Sequence, residues 1–144
     1  MKQADSTQNF KEFLKEKRAF YKTLSVSDVY CPVLDANIVF NSKGFYHLRY
    51  DSHGKERVIK EQRYKLTLLP LVKAVIKCAT SIHEYRKEEY SKPLGKYFEI
   101  WEIKATVGKS NTTVSVILRR IGTGNITFLS VFKEKEKKTK KPSK

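Results

Sequence analysis

The sequence predicts an α+β domain in which N-terminal helices pack on one face of a three- to four-stranded antiparallel β-meander. Three observations carry that expectation. Apolar residues in the first half recur at helical spacing, three runs in the second half are rich in β-branched and aromatic residues, and short Gly- and Asn-bearing connections separate those runs. At 144 residues the chain fits one domain, expected over 1–132, followed by a lysine-rich tail over 133–144.

Phe10, Phe13, Leu14, Phe20, Tyr21 and Leu24 form one apolar stripe, which predicts an amphipathic helix over 10–24. Asn9 stands where an N-cap would, with Glu12 as its capping-box partner. "SVSDVYCPVLDA" follows as a connector kept extended by Pro32, and "NIVF" (37–40) as a short strand. "NSKGFYHLRYDSHGKER" supports two readings. Ser42 could cap a helix with Phe45 and Leu48 on one face, or Tyr46, Leu48 and Tyr50 could alternate along a strand that "DSHG" turns. "TLLPLVKAVIKCATSIHEY" repeats apolar residues at three and four, predicting a helix over 67–85 that starts near Pro70. "RKEEYSKPLGK" (86–96) reads as a polar loop. The strands are 97–107, 112–121 and 125–134, joined by "GKSN" and "GTG".

The net charge is +15. Seven lysines and two glutamates in 133–144 supply five of those charges, so about +10 stays on the body. Such a field draws polyanions, and nucleic acid is the commonest inside cells. No helix face is strongly apolar and ringed with lysine, and no apolar stretch approaches a membrane span, so no membrane partner is expected. Cys31 and Cys78 match no metal spacing and read as free thiols of a reducing compartment. "MKQADSTQNFKEF" has no apolar h-region, so a cytoplasmic protein, or cargo of another delivery route, is expected.

The chemistry-bearing residues lie in the second half and in the ambiguous segment. In "VSVILRRIGTGN", Val114, Val116 and Leu118 share the more apolar face, which puts Arg119 on the open face and Arg120 at the edge of the core, or the reverse if a bulge lies near the turn. A guanidinium on an exposed sheet face can hold two phosphate oxygens and stabilise charge that grows on them. In the final strand Ile126, Phe128, Ser130 and Phe132 alternate with Asn125, Thr127, Leu129 and Val131. His47 stands among aromatics and can exchange a proton with a ribose 2′-OH or a leaving 5′-oxygen. His53, in the "DSHG" turn, and His83 read as exposed and structural. No two histidines, and no histidine and acid, share a metal-ligand spacing, so neither metal nor cofactor is expected. In "FEIWEIK", a carboxylate such as Glu102 on the open face could act as base, and Trp101 could stack a nucleotide base, or it could belong to the core with Glu99 and Glu102 pairing to lysines.

Taken in order, "NIVF", "FYHL", the long helix and "VILRRIGTGNITFLSVFK" resemble the nuclease toxins of the barnase–EndoU–colicin–RelE superfamily, in particular the subgroup of phages and mobile elements. The resemblance runs over 37–133 and rests on a histidine after the first strand, an arginine in the penultimate strand and a Ser or Thr in the last. It implies the helical form of 43–50 and a metal-independent endoribonuclease that cleaves RNA through 2′-OH attack, leaving a 2′,3′-cyclic phosphate. By that resemblance His47 is the general acid or base, Arg119 or Arg120 binds the scissile phosphate, and Ser130 or Thr127 hydrogen-bonds it. Arg49, Tyr64, Lys65 and Glu102 are candidates for the second acid or base. A toxin or effector of this kind implies an acidic antitoxin or immunity protein as partner. The alternatives are a non-catalytic RNA- or DNA-binding module, stacking bases on Tyr97 and Trp101, and a structural domain whose charge serves solubility.

Overall fold

The computed structural model describes residues 2–93 and 95–134. Three helices and six strands follow in the order α1 (Lys2–Ser25), β1 (Val29–Cys31), β2 (Ala36–Val39), α2 (Ser42–Arg49), α3 (Ile59–Cys78), β3 (Ile82–Ser91), β4 (Lys96–Val107), β5 (Thr112–Ile121) and β6 (Ile126–Lys133). The α+β class stands. The sheet has six strands rather than three or four, ordered β1-β2-β6-β5-β4-β3. All neighbours are antiparallel except β2 and β6, which pair in parallel through Ile38–Ile126 and Val39–Thr127. Of the lysine-rich tail, Lys133 ends β6, and 135–144 lie outside the described residues. No helix among the described residues is long and apolar enough to cross a membrane.

The core forms where α3 packs on the sheet. Leu66, Leu69, Val72, Val75 and Ile76 are fully buried against Trp101, Ile103, Val114, Val116, Leu118 and Val131. This burial explains Pro70. The helix begins at Ile59, not near Pro70, and carries the proline in its interior. Five buried aliphatic side chains, each contributing about 1.5–3 kcal/mol, outweigh the roughly 3 kcal/mol that an interior proline costs. The helix also stops at Cys78, with Ala79 as an extended C-cap, instead of continuing to residue 85.

The segment 86–96, expected as a loop, is largely strand. Arg86, Glu89, Tyr90 and Ser91 pair with Ile100, Phe98, Tyr97 and Lys96 on β4. Ile82 to Lys87 are all exposed, so this strand carries no burial pattern for a sequence to display. The expected connector holds β1, whose Val29 and Cys31 are buried, and Pro32 opens a turn to β2 instead of extending the chain. Asn9 is not a cap, because α1 already runs from Lys2.

Residues 42–49 adopt the helical alternative. The Asn41 side chain accepts hydrogen bonds from the backbone N–H groups of Lys43 and Gly44 at 3.1 and 3.3 Å, so Asn41 is the cap in place of Ser42. Parallel pairing with β2 ends at Thr127, which leaves the far half of β6 without a strand neighbour on that side. Helices cover this edge. Gly44 lies against Phe128, the Tyr64 hydroxyl accepts from the Lys133 N–H at 2.6 Å, and Lys65 Nζ donates to the Val131 carbonyl at 3.1 Å.

A Cβ at position 44 would stand 2.7 Å from the Phe128 carbonyl oxygen and 2.9 Å from its Cδ2. Neither backbone nor fully buried ring can yield cheaply. Gly44→Ala is expected to lower unfolding free energy by about 2–3 kcal/mol in a denaturant titration. An unchanged midpoint would show that α2 can lift off β6 freely.

Candidate functional site

Strand register decides what shares the open face. Arg119 pairs with Ile100 and Thr127, and Ile117 pairs with Glu102 and Ser130. On the other face, Leu118 pairs with Trp101 and Phe128, and Arg120 with Glu99 and Ile126. Ile117 opposes Ser130 while Leu118 opposes Phe128, so Leu129 is an extra residue, a β-bulge in β6. The bulge corrects the simple alternation. Without it Ser130 would share the core face with Phe128; with it Ser130 joins Thr127 and Arg119 on the open face. Arg119 and Ser130 are then diagonal neighbours, about 7–8 Å apart at their backbones and within reach of a long side chain.

The two arginines have different environments. Arg120 donates through Nε and Nη2 to one Glu99 carboxylate oxygen at 2.8 and 2.6 Å, and its guanidinium lies 5.6 Å from the Trp101 ring centroid. The Tyr85 hydroxyl bonds the other Glu99 oxygen at 2.5 Å. Tyr85, then burial working the opposite way, then Arg120 set the Glu99 carboxyl, which lies below its ordinary range. Arg119 has no carboxylate partner among the described residues, and its buried Nε has no hydrogen-bond partner. Burial alone lowers its pKa, and a guanidinium remains charged regardless. Arg119 is therefore a cation available for an anion, and Arg120 is committed to the sheet.

The two hydroxyls separate in the same way. Thr127 donates its proton to the Arg119 carbonyl at 3.1 Å. Ser130 Oγ accepts from Lys65 Nζ at 3.4 Å, which leaves the Ser130 proton free to donate. Lys65, only 8% exposed, reaches this position around the edge of β6 that has no strand neighbour. Burial lowers its pKa first and Arg57 lowers it further, against a smaller opposing pull from Glu61.

His47 arrives on α2, half-buried beside the same edge. Its pKa lies below the ordinary value through burial first, and then through the charges of Arg119, Lys43 and Arg57. The imidazole is therefore neutral at pH 7 and able to accept a proton. Arg57 was missed by sequence reasoning, because "GKER" looks like any solvated turn. Its Nε donates to the His47 carbonyl at 3.2 Å and its Nη1 pairs with Glu61 at 3.1 Å.

The remaining candidates are placed elsewhere. Arg49 donates to Gln62 at 3.0 Å and pairs with Glu56 at 3.2 Å, and Tyr64 caps the β6 backbone. Glu102 shares the open-face row of Ser130 but stands two strands away, about 10 Å at the backbone. Trp101 is 7% exposed, on the core face, with Tyr85 stacked at 5.5 Å, so its ring is core and not a platform for a base. His53 and His83 are exposed. Among the described residues, no three His, Cys, Asp or Glu side chains gather into a metal-ligating group.

Gln62 holds the loop that presents Arg57. It is fully buried, accepts from Arg49, and donates to Glu56 at 3.2 Å and to the Arg57 carbonyl at 2.7 Å. Gln62→Leu keeps the volume but strands those partners, and is expected to cost about 2–4 kcal/mol. A calorimetric scan showing wild-type stability would contradict that role.

Comparison with protein-family models, curated proteins and solved structures finds no match to this chain.

Proposed function

We propose that this protein is a metal-independent endoribonuclease of the toxin or effector type, as its resemblance to the barnase–EndoU–colicin–RelE superfamily implies. One observation carries the reading. A neutral histidine, a half-buried arginine with no carboxylate partner among the described residues, a second arginine, a buried lysine and a serine with a free proton converge on one edge of an open sheet face. The set matches what a phosphodiester needs when its own 2′-OH attacks.

In that reaction His47 accepts the 2′-OH proton as O2′ bonds to phosphorus. Arg119 holds the non-bridging oxygens, and Ser130 donates a hydrogen bond to them. The P–O5′ bond breaks, and the leaving oxygen takes a proton from the Lys65 ammonium. The products are a 2′,3′-cyclic phosphate and a free 5′-OH, and solvent exchange restores both side chains. Burial, then Arg119, Lys43 and Arg57, favour the deprotonated form of His47, and Arg57 adds positive potential where the phosphorane forms. The chain's net charge of +15 suits RNA and an acidic inhibitory partner alike.

The test is incubation of purified protein with RNA in excess chelator. Fragments ending in 2′,3′-cyclic phosphate are expected. Intact RNA that shifts on a gel would overturn this reading in favour of a non-catalytic binding module.

A further inference from the structure

Beside α2 lies a groove of about 420 Å³, bounded by α1, the end of β2 and α2. Its chemistry is one-sided: Arg18, Lys22 and Arg49 line it together with Phe45, Tyr46 and Tyr50, and no Asp or Glu does. Arg18 and Lys22 have no ion-pair partner among the described residues. The Tyr46 and Tyr50 rings lie parallel, 4.5 Å apart at 12°, a stack that an incoming flat ring can extend. Tyr46 is 44% exposed and its ring meets that of His47 edge-on at 5.9 Å, so the groove adjoins the proposed reaction centre.

We infer that this groove is a subsite for an unpaired nucleotide flanking the scissile phosphate, which makes single-stranded RNA the substrate. The choice of RNA rests on the function proposed above. Tyr46 stacks the base, and Arg18 and Lys22 hold the adjoining phosphates. Aromatic faces beside fixed cations recognise single strands because a base inside a duplex already has both faces stacked. An acidic peptide would use the cations but leave the parallel ring pair without a role.

The experiment measures binding of 2′-O-methyl RNA, which lacks the nucleophile and stays intact. Probes are a labelled dinucleotide, a single-stranded octanucleotide and a duplex of the same sequence. Wild type is expected to bind the octanucleotide much more tightly than the dinucleotide. Tyr46→Ala is expected to weaken octanucleotide binding about tenfold, a typical loss for one stacked base. Tyr46→Phe, which keeps the ring, is expected to restore it, and Arg18→Ala to reduce the salt slope by about 1. Duplex binding should not depend on Tyr46. Equal octanucleotide affinity for wild type and Tyr46→Ala, with unchanged melting, would overturn the inference and leave the groove to an acidic protein partner. Cleavage of ordinary RNA by the wild type, measured in parallel, separates the two claims. Tyr46-dependent binding without cleavage retains the groove and removes the ribonuclease reading; cleavage with Tyr46-independent binding does the reverse.

Discussion

Arg119→Met is expected to slow RNA cleavage by about 10²–10³-fold, the loss typical of removing one preorganised charge stabiliser, without lowering stability. The side chain has no carboxylate partner among the described residues and a buried Nε with no hydrogen bond. A buried unsatisfied donor costs about 1–3 kcal/mol, so an apolar side chain of similar length should leave the unfolding midpoint level or higher. Arg120→Met is expected to behave in the opposite way. It loses two charge-assisted hydrogen bonds to Glu99 and its place over Trp101, at a cost of about 1–2 kcal/mol, while cleavage stays near wild type. Kinetics and denaturant titration of the two variants side by side give the check. Similar losses of cleavage in both would remove the distinction between a phosphate-binding arginine and a structural one.

His47→Ala is expected to cost about 10²–10⁴ in cleavage rate, the range of general acid–base catalysis. Its pH signature separates proton transfer from mere packing. A base works only when deprotonated, so the rate falls as pH drops through the His47 pKa. Burial and the charges of Arg119, Lys43 and Arg57 disfavour the imidazolium, which puts that acid limb below the ordinary value of 6.5. Lys43→Ala removes one of those charges and should move the limb upward. Lys65 must stay protonated to serve the leaving oxygen, and burial with Arg57 lowers its pKa from 10.5, so the alkaline limb should begin below that value. An acid limb at or above 6.5, or one that survives in His47→Ala, would exclude His47 as the base.

Positive charge around this edge is left largely without ion-pair partners among the described residues. Four cations, Lys43, Arg57, Lys65 and Arg119, act on each other or on His47. Only Arg57 has an ion pair, with Glu61, among the described residues. An arrangement selected for stability alone would neutralise more of them. In the function proposed above, an incoming phosphodiester would supply the missing negative charge.

Much of this was determined by sequence alone. Apolar periodicity marked the face of α1 and the buried stretch of α3, and β-branched runs marked β4, β5 and β6, because each buries one continuous face. Strict alternation in β5 also assigned Arg119 and Arg120 to opposite faces, and the bulge in β6 left that alternation intact. His47 and Arg119 could be named because their residue types suit phosphodiester chemistry, and Ser130, beside Thr127, because the resemblance implies a hydroxyl in the last strand. Tertiary structure decided the rest. Strand β3 is exposed from Ile82 to Lys87 and so had no pattern to read, and Pro70 was carried by core contacts that no local rule contains. The Leu129 bulge moved Ser130 to the open face, and hydrogen bonds to Glu99 and to the Arg119 carbonyl removed Arg120 and Thr127 from contention. Lys65, one of four candidates for the second acid or base in the sequence, and Arg57, which the sequence did not single out, reach this edge because α3 and the loop before it cover the part of β6 that β2 leaves open. Local pattern reports which face of an element is buried; which partner occupies the other face depends on register and edge contacts between residues far apart in the chain.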